Sequence, residues 1–176
     1  MKSLLQFAAF QAFWLAAVLG AARGHVWLGA LALVPYLVGM LWRERERARL
    51  ASRWLAAGAL GSLADCALAA LGLHAYPTTP AAWPAWLVPP FIASLWIAFA
   101  TLPHASLAWL APRPGLAAAF GALGGPLSFA AGVRTGAVGY GESVLATNAV
   151  LALQYALATP LFLRWLAPRP VLARST

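Results

Sequence analysis

The sequence predicts an all-α polytopic membrane protein: a six-helix transmembrane bundle with both termini cytoplasmic. Three observations predict this class. The 176 residues are 62% hydrophobic and only 9% charged, whereas soluble domains average about 25% charged residues. Six apolar segments are long enough to cross a bilayer as helices. Basic residues are concentrated on one side of these segments, as the positive-inside rule requires.

The six apolar segments follow one another in a single domain that covers residues 1–176. They span residues 3–21, 25–42, 54–74, 88–111, 115–133 and 142–166. We expect three helical hairpins, which turn at Ala21–Gly24, in the stretch His74–Trp86 and near Gly136–Gly141. The second turn is rich in proline and carries no Asp, Glu, Lys or Arg. It is therefore expected to form a structured loop on the outer interface, either covering an opening between helices or anchoring the fourth segment.

The basic residues indicate the orientation. Of the 12 Lys and Arg residues, only Arg23 and Arg134 fall on the side opposite the N-terminus. The others are Lys2, Arg43, Arg45, Arg47, Arg49, Arg53, Arg113, Arg164, Arg169 and Arg174. Basic residues in short loops stay cytoplasmic. The net charge of +8 is therefore interpreted as a topology signal, and nucleic acid is not an expected partner.

The densest run of charge follows the second segment. Its arginines are Arg43, Arg45, Arg47, Arg49 and Arg53. Glu44 and Arg47, like Glu46 and Arg49, are three residues apart, which favours a helix with paired charges. The run is interpreted either as a topology anchor or as a contact for anionic lipid headgroups or a protein partner.

The first segment has two interpretations. The apolar run Leu4–Gly20, after a basic residue, resembles a signal peptide. Gln11 and Trp14 are polar or bulky for a signal core, so we expect the segment to remain in the bundle. A ridge of small residues recurs every four positions: Ala8, Ala12, Ala16 and Gly20. Such a ridge can pack within the chain, in a homo-oligomer or against a membrane partner.

Asp65 is the most informative residue because its segment is otherwise apolar or small. A carboxylate at that depth costs roughly 3 kcal/mol on insertion scales, so such residues are usually functional or paired. Gly58, Gly61 and Ser62 share its helical face, which predicts that Asp65 points at other helices. Its distance from Trp54 is roughly 16 Å along the helix, near the middle of the bilayer.

His104 is the second candidate. It shares a stripe of the fourth segment with Ser94 and Thr101. It follows Pro103, whose missing N–H leaves the Phe99 carbonyl unpaired, so a freed carbonyl and an imidazole are expected to form a local polar site. Because its depth differs from that of Asp65 by about 7 Å on straight helices, contact between the two would need a bridging water or a third group such as Asn148.

Asp65 and His104 are therefore the candidate catalytic residues. Together they could form an acid–base or proton-relay pair. Alternatively, Asp65 is a hydrogen-bonded tether between helices and His104 caps the freed carbonyl. A shared polar interior is expected to include the remaining polar side chains of the segments: Gln11, Ser62, Ser94, Thr101, Asn148 and Gln154.

A second polar group lies near the predicted outer interface. Its members are Arg23, His25, His74, Arg134 and Glu142. We expect these side chains to reach the headgroup region, with Arg134 pairing Glu142. The alternative is an outward-facing site for an anion or headgroup. No two potential ligands have metal-binding spacing on one helix, so no metal is expected.

Several stretches resemble a known family. These are Phe7-x-x-Phe-Gln-x-x-Trp14, Gly20-Ala-Ala-Arg-Gly24, the Asp65 segment, Trp96–Trp109 with His104-Ala-Ser, and Gly124-Gly-Pro-Leu127. The chain is similar to an uncharacterised bacterial family of small multi-pass inner-membrane proteins, a domain-of-unknown-function family. The resemblance implies a location and a size rather than an activity, and it points towards lipid metabolism or envelope stress. An amide often precedes the histidine in that family. Here Pro103 does, so one polar contact near His104 is missing.

Three functions stay open from the sequence. The leading hypothesis is a buried polar site that binds a lipid or small amphiphile in membrane lipid modification or translocation. The second is an intramembrane acid–base enzyme acting on a lipid, and the third is a structural or accessory membrane subunit. Because nucleophile-elbow, phosphate-loop and paired-cysteine motifs are absent from the sequence, no cofactor is expected.

Overall fold

The computed structural model describes residues 2–168, so Arg169 and Arg174 lie outside the described part. The fold is predominantly helical. Its helices are α1 (Lys2–Ala22), α2 (Leu28–Leu41), α3 (Arg47–Ala70), α4 (Pro90–Phe99), α5 (Pro114–Thr135) and α6 (Val144–Leu166). Short 3-10 turns cover Leu102–His104 and Ala108–Leu110. The short strands β1 (His74–Ala75) and β2 (Gly139–Tyr140) were not predicted.

Helices α1, α5 and α6 are long and apolar enough to cross a membrane. Helices α2 and α4 are shorter apolar helices. Large apolar side chains cover the outside of the protein, and Leu31, Leu63, Leu123, Leu145 and Leu157 are each more than 60% exposed. Soluble monomers rarely expose apolar surface on this scale. Length, composition and exposure together indicate a membrane protein.

The most extensive helix contacts join α1 to α2, α3 to α4 and α5 to α6, which are the three predicted hairpins. Gly24 and Gly136, with φ of +84° and +83°, lie in the first and third turns, where glycine adopts the left-handed conformation without steric cost. The strand β1 pairs antiparallel with β2, so the second and third turns lie side by side at one end of the bundle.

The fourth predicted segment is not one helix. The expected continuous span 88–111 divides into α4, which ends at Phe99, and the two 3-10 turns that follow. Pro103 has no N–H for the Phe99 carbonyl and its ring crowds that turn, so the α-helix ends before it. The α-helical stripe that was expected to align His104 with Ser94 and Thr101 is interrupted as a result.

Other boundaries also differ from prediction. Helix α2 begins at Leu28 rather than residue 25 because His25–Trp27 form a turn closed by the Leu28 N–H on the His25 carbonyl. Helix α3 already begins at Arg47, within the basic run. Two glycines before a proline, as in Gly124-Gly125-Pro126, predict a kink or an interruption of the fifth segment, but α5 continues through Pro126.

The small-residue ridge of α1 is only partly used inside the chain. Ala8 and Ala12 are exposed, whereas Gly20 is buried against Leu28 of α2. The buried face of α1 instead includes Phe13, Ala17 and Ala21, with Val18 beside them. The small residues that pack inside the chain, Ala17 and Ala21, are therefore one position along from the predicted ridge.

Candidate functional site

The face of α3 that carries Asp65 packs closely on α4. A side chain at Gly58 would overlap Ile97, and one at Gly61 would overlap the Trp96 indole. These glycines therefore let the α4 backbone and indole approach α3 directly. Asp65 follows on the same face and is only 6% exposed. Its inward orientation is the one that the small-residue spacing predicts.

Two neutral donors hold the Asp65 carboxyl group. The indole Nε1 of Trp96 on α4 donates to Oδ2 at 2.8 Å, and the amide Nε2 of Gln154 on α6 donates to Oδ1 at 2.8 Å. The Trp96 ring also stacks on Tyr155, with centroids 4.9 Å apart and an interplanar angle of 18°. Asp65 thus joins α3, α4 and α6 at one point.

A cavity of about 510 Å³ extends from Asp65 towards α1 and α5. Its walls are mainly aromatic and aliphatic. They include the rings of Trp96, Phe99 and Tyr155, which contact one another, and Tyr76 from the second turn. Asp65 is the one acidic or basic side chain among the described residues that line it. The cavity is therefore an apolar space, and the described part of its wall carries one carboxyl group, that of Asp65, and no basic group.

The cavity reaches the outer surface between α1 and α5. Phe7 of α1 and Phe120 and Leu127 of α5 line the cavity, yet they are 41%, 46% and 69% exposed. Between these helices, Trp14 Nε1 donates to Ser128 Oγ at 3.1 Å. Gln11, predicted to be part of the polar interior, is exposed and lies on the cavity wall.

His104 belongs to a different environment. Its Nε2 lies 3.6 Å from Oε1 of Glu44, and its ring meets the edge of Trp54 at a centroid distance of 6.0 Å. Trp54 and Asp65 are both on α3, eleven positions apart, which corresponds to about 16 Å along the axis. The structure therefore forms no Asp65–His104 pair, because the chain leaves helical geometry before Pro103. Sequence reasoning did not identify Glu44 as the neighbour of His104.

Of the other predicted interior groups, only Gln154 contacts Asp65 directly. Ser94 is buried beside Gly29 of α2 and donates to the Phe91 carbonyl at 2.7 Å. Thr101 is buried and shares a 2.7 Å hydrogen bond with Tyr36 of α2. Both side chains therefore stabilise the α2–α4 contact rather than a shared polar interior.

Ser62 and Asn148 satisfy their own helices. Ser62 Oγ donates to the Gly58 carbonyl, and Asn148 Nδ2 donates to the Val144 carbonyl, both at 2.8 Å. Neither residue lines the Asp65 cavity. Such bonds to the preceding turn are an alternative that Ser and Asn often adopt within helices, so Asn148 does not bridge the two candidate residues.

The predicted outer-interface group is not one cluster. His74 is buried, 5% exposed, and its ring lies 4.8 Å from that of Phe129, because strand pairing draws it inward. Arg23, His25, Arg134 and Glu142 are exposed. The expected Arg134–Glu142 ion pair is not formed, and residues 2–168 contain no His, Cys, Asp or Glu cluster suited to a metal.

The basic run is largely on the surface. Arg43, Arg45, Arg47 and Arg49 are exposed, and Arg53 is half-buried. Arg49 pairs with Glu46 at 2.8 Å as predicted. Arg47 does not pair with the Glu44 carboxylate but donates to the backbone carbonyls of Glu44 and Trp42, so the Glu44 side chain is available to His104.

Comparison with known proteins gives one family. The model of DUF2878, described as a protein of unknown function, matches residues 3–161. No curated protein and no solved structure matches the chain. The family match thus covers α1 to α5 and most of α6, including Asp65, Trp96 and Gln154.

Proposed function

This chain belongs to the DUF2878 family of proteins of unknown function, and we propose that it binds a lipid or another small amphiphile beside Asp65. The cavity carries the proposal. Its volume of about 510 Å³ falls within the range of about 300–1,000 Å³ that is usual for small-molecule sites. Such sites combine apolar walls with a few placed polar groups, and Asp65 with its two donors supplies these here.

The opening between α1 and α5 supports a ligand that comes from the membrane. Phe7, Phe120 and Leu127 continue the apolar surface of the protein into the cavity. An acyl chain can follow this surface without leaving an apolar environment, since the transfer of apolar groups into water is unfavourable. Holding a lipid in this way would serve its modification or its translocation.

We further propose that the helices make six passes through a bacterial inner membrane, with both termini cytoplasmic. Contact between Glu44 and His104 brings the turn after α2 and the link after α4 to the same end. The β1–β2 pair brings the turns after α3 and α5 together. This alternation of ends is what six passes require.

The arginine-rich end is the cytoplasmic end in this proposal. Exposed Arg43, Arg45, Arg47 and Arg49, together with the half-buried Arg53, would contact anionic lipid headgroups there. Reporter fusions test the orientation. A fusion after Thr79 is expected outside and a fusion after Arg47 inside, and an external Arg47 fusion would contradict the proposed topology.

A structural role is the second candidate, because both carboxyl oxygens of Asp65 already accept a hydrogen bond from another helix. In that case Asp65 is a tether between α3, α4 and α6, and the protein is an accessory membrane subunit or a partner in a homo-oligomer. The cavity separates the two candidates, since a tether does not require an open space beside it.

Filling the cavity tests the binding proposal. A side chain added at Gly124 on the cavity wall would meet open space, and so would one at Gly39 on the exposed face of α2. Gly124→Leu is expected to reduce the lipid that copurifies in mild detergent several-fold. The matched control Gly39→Leu should retain the wild-type amount. Equal lipid content in all three proteins, measured by extraction and mass spectrometry, would contradict binding in this cavity.

A further inference from the structure

We infer that the cavity selects an amphiphile whose head group donates hydrogen bonds and carries no negative charge, such as a long-chain alcohol or amine. This inference rests on the proposed function and adds the chemical class of the ligand. It follows from the charge of the cavity wall and from the hydrogen-bonding capacity of its few polar groups.

The charge of the wall disfavours an anion. Asp65 is more than nine-tenths buried, and none of the described residues that line the cavity is Arg, Lys or His. A fatty acid or phosphate ester would place its negative charge beside this carboxyl group without a compensating cation. Like charges at short distance in an apolar site are strongly unfavourable.

The carboxyl group of Asp65 is the acceptor on the cavity wall. Its oxygens already accept from Trp96 and Gln154, but each carboxyl oxygen can accept more than one hydrogen bond. Gln154 itself does not line the cavity. The group next to the ligand thus calls for a donor.

The hydroxyl of Tyr76 completes this arrangement. Tyr76 is 9% exposed, lines the cavity, and its Oη is buried without a partner. Thr159 on the wall also has a buried hydroxyl without a partner. A phenol or hydroxyl can donate or accept. An alcohol head group could therefore donate to Asp65 and accept from Tyr76, whereas an amine would donate to the carboxyl group.

The expected discrimination is large enough to measure. A buried polar group left without a partner is unfavourable, and a tenfold difference in affinity corresponds to about 1.4 kcal/mol. An alcohol or amine should therefore bind at least about tenfold more tightly than an acid or phosphate with the same chain.

The experiment uses four probes with one saturated chain length: a primary alcohol, a primary amine, a fatty acid and an alkyl phosphate. Each is titrated into the full-length protein in detergent, and occupancy is read by native mass spectrometry. We expect the alcohol and the amine to bind at least about tenfold more tightly than the other two. Asp65→Asn should reduce amine binding more than alcohol binding. It should also reduce the difference in affinity between the amine and the fatty acid.

A smaller change guards against misfolding of the Asp65 variant. Tyr76→Phe removes one hydroxyl, and it should weaken alcohol binding severalfold while leaving thermal stability unchanged or increased. If all four probes bind equally and Gly124→Leu blocks them all, the head-group inference is wrong and the binding site stands. If no probe binds, or if Gly124→Leu changes nothing, both the inference and the proposed function are wrong.

Discussion

The two candidate residues ended up in contrasting environments. Asp65 is 6% exposed, accepts two hydrogen bonds of 2.8 Å from two other helices and borders a cavity. His104 lies in a 3-10 turn, its side chain is 18% exposed, and its nearest charged group, Glu44, is 3.6 Å away. Asp65 is held in place by contacts with two other helices, whereas His104 contacts a turn at the end of the bundle.

The contrast shows that an ionisable residue in an apolar segment is informative only together with its surroundings. At Asp65 the glycines of α3 admit Trp96, and the carboxyl group then has both partners and open space beside it. At His104 the preceding proline ends the helix and moves the imidazole towards a polar turn. Variants at Asp65, at Gly61 and at the Glu44–His104 contact should therefore differ in how strongly they destabilise the protein.

Asp65→Leu should have the largest effect on stability. It leaves Trp96 Nε1 and the Gln154 amide without their acceptor in a buried place, at a cost of about 1–3 kcal/mol for each donor. We expect the free energy of unfolding to fall by about 2–6 kcal/mol by the same reasoning, measured by chemical unfolding in mixed micelles.

Asp65→Asn is the matched control, since the amide oxygen can still accept from one of the two donors. Its loss of stability should be clearly smaller. If Asp65→Leu is as stable as Asp65→Asn, the two hydrogen bonds contribute little to stability. Asp65 would then not differ from His104 in this respect.

Gly61→Ala should have an intermediate effect. A methyl group at this position overlaps the Trp96 indole, so α4 must shift and the indole must leave Asp65. Overpacking of this kind costs about 1–3 kcal/mol. Gly39→Ala, where the methyl group meets open space, is the control and should be neutral or stabilising. Thermal unfolding followed by tryptophan fluorescence compares the two, and equal behaviour would mean that the α3–α4 contact is not tight.

The smallest effect on stability is expected for the contact between Glu44 and His104. Glu44→Gln and His104→Gln should each cost no more than about 1 kcal/mol of stability, because contacts between partly exposed polar or charged side chains contribute about 0–1 kcal/mol. The double variant gives the coupling energy between the two side chains. Neither change should alter binding of an amphiphile. A coupling well above this range, or a loss of binding with either variant, would show that His104 has a role comparable to that of Asp65.

The helical class and the inward orientation of Asp65 could both be predicted from the sequence. Apolar length and charge placement are local properties, and the spacing of Gly58, Gly61 and Asp65 on one helix face is also local. The three hairpins follow from the same information, because helices that follow one another in the chain usually pack against each other.

The partners of Asp65 could not be predicted in the same way. Gln154 was one of several polar candidates, and Trp96 was not recognised as a donor. Their contact depends on the rotation and height of α4 and α6 relative to α3, which are set by side-chain packing across the bundle. The same dependence on packing explains why Ser94 and Thr101 face α2, although they were expected to share a site with Asp65.

Photolabelling with a photoreactive long-chain alcohol tests whether the cavity beside Asp65 binds an amphiphile. Labelled peptides are mapped by mass spectrometry, with an excess of unlabelled alcohol as competitor. We expect competable labelling of the α1–α5 opening and of the cavity wall, at or near Phe7, Phe120 and Tyr76, and its loss in Gly124→Leu. Labelling confined to the outer surface around Leu31 and Leu63, with no competition, would contradict it.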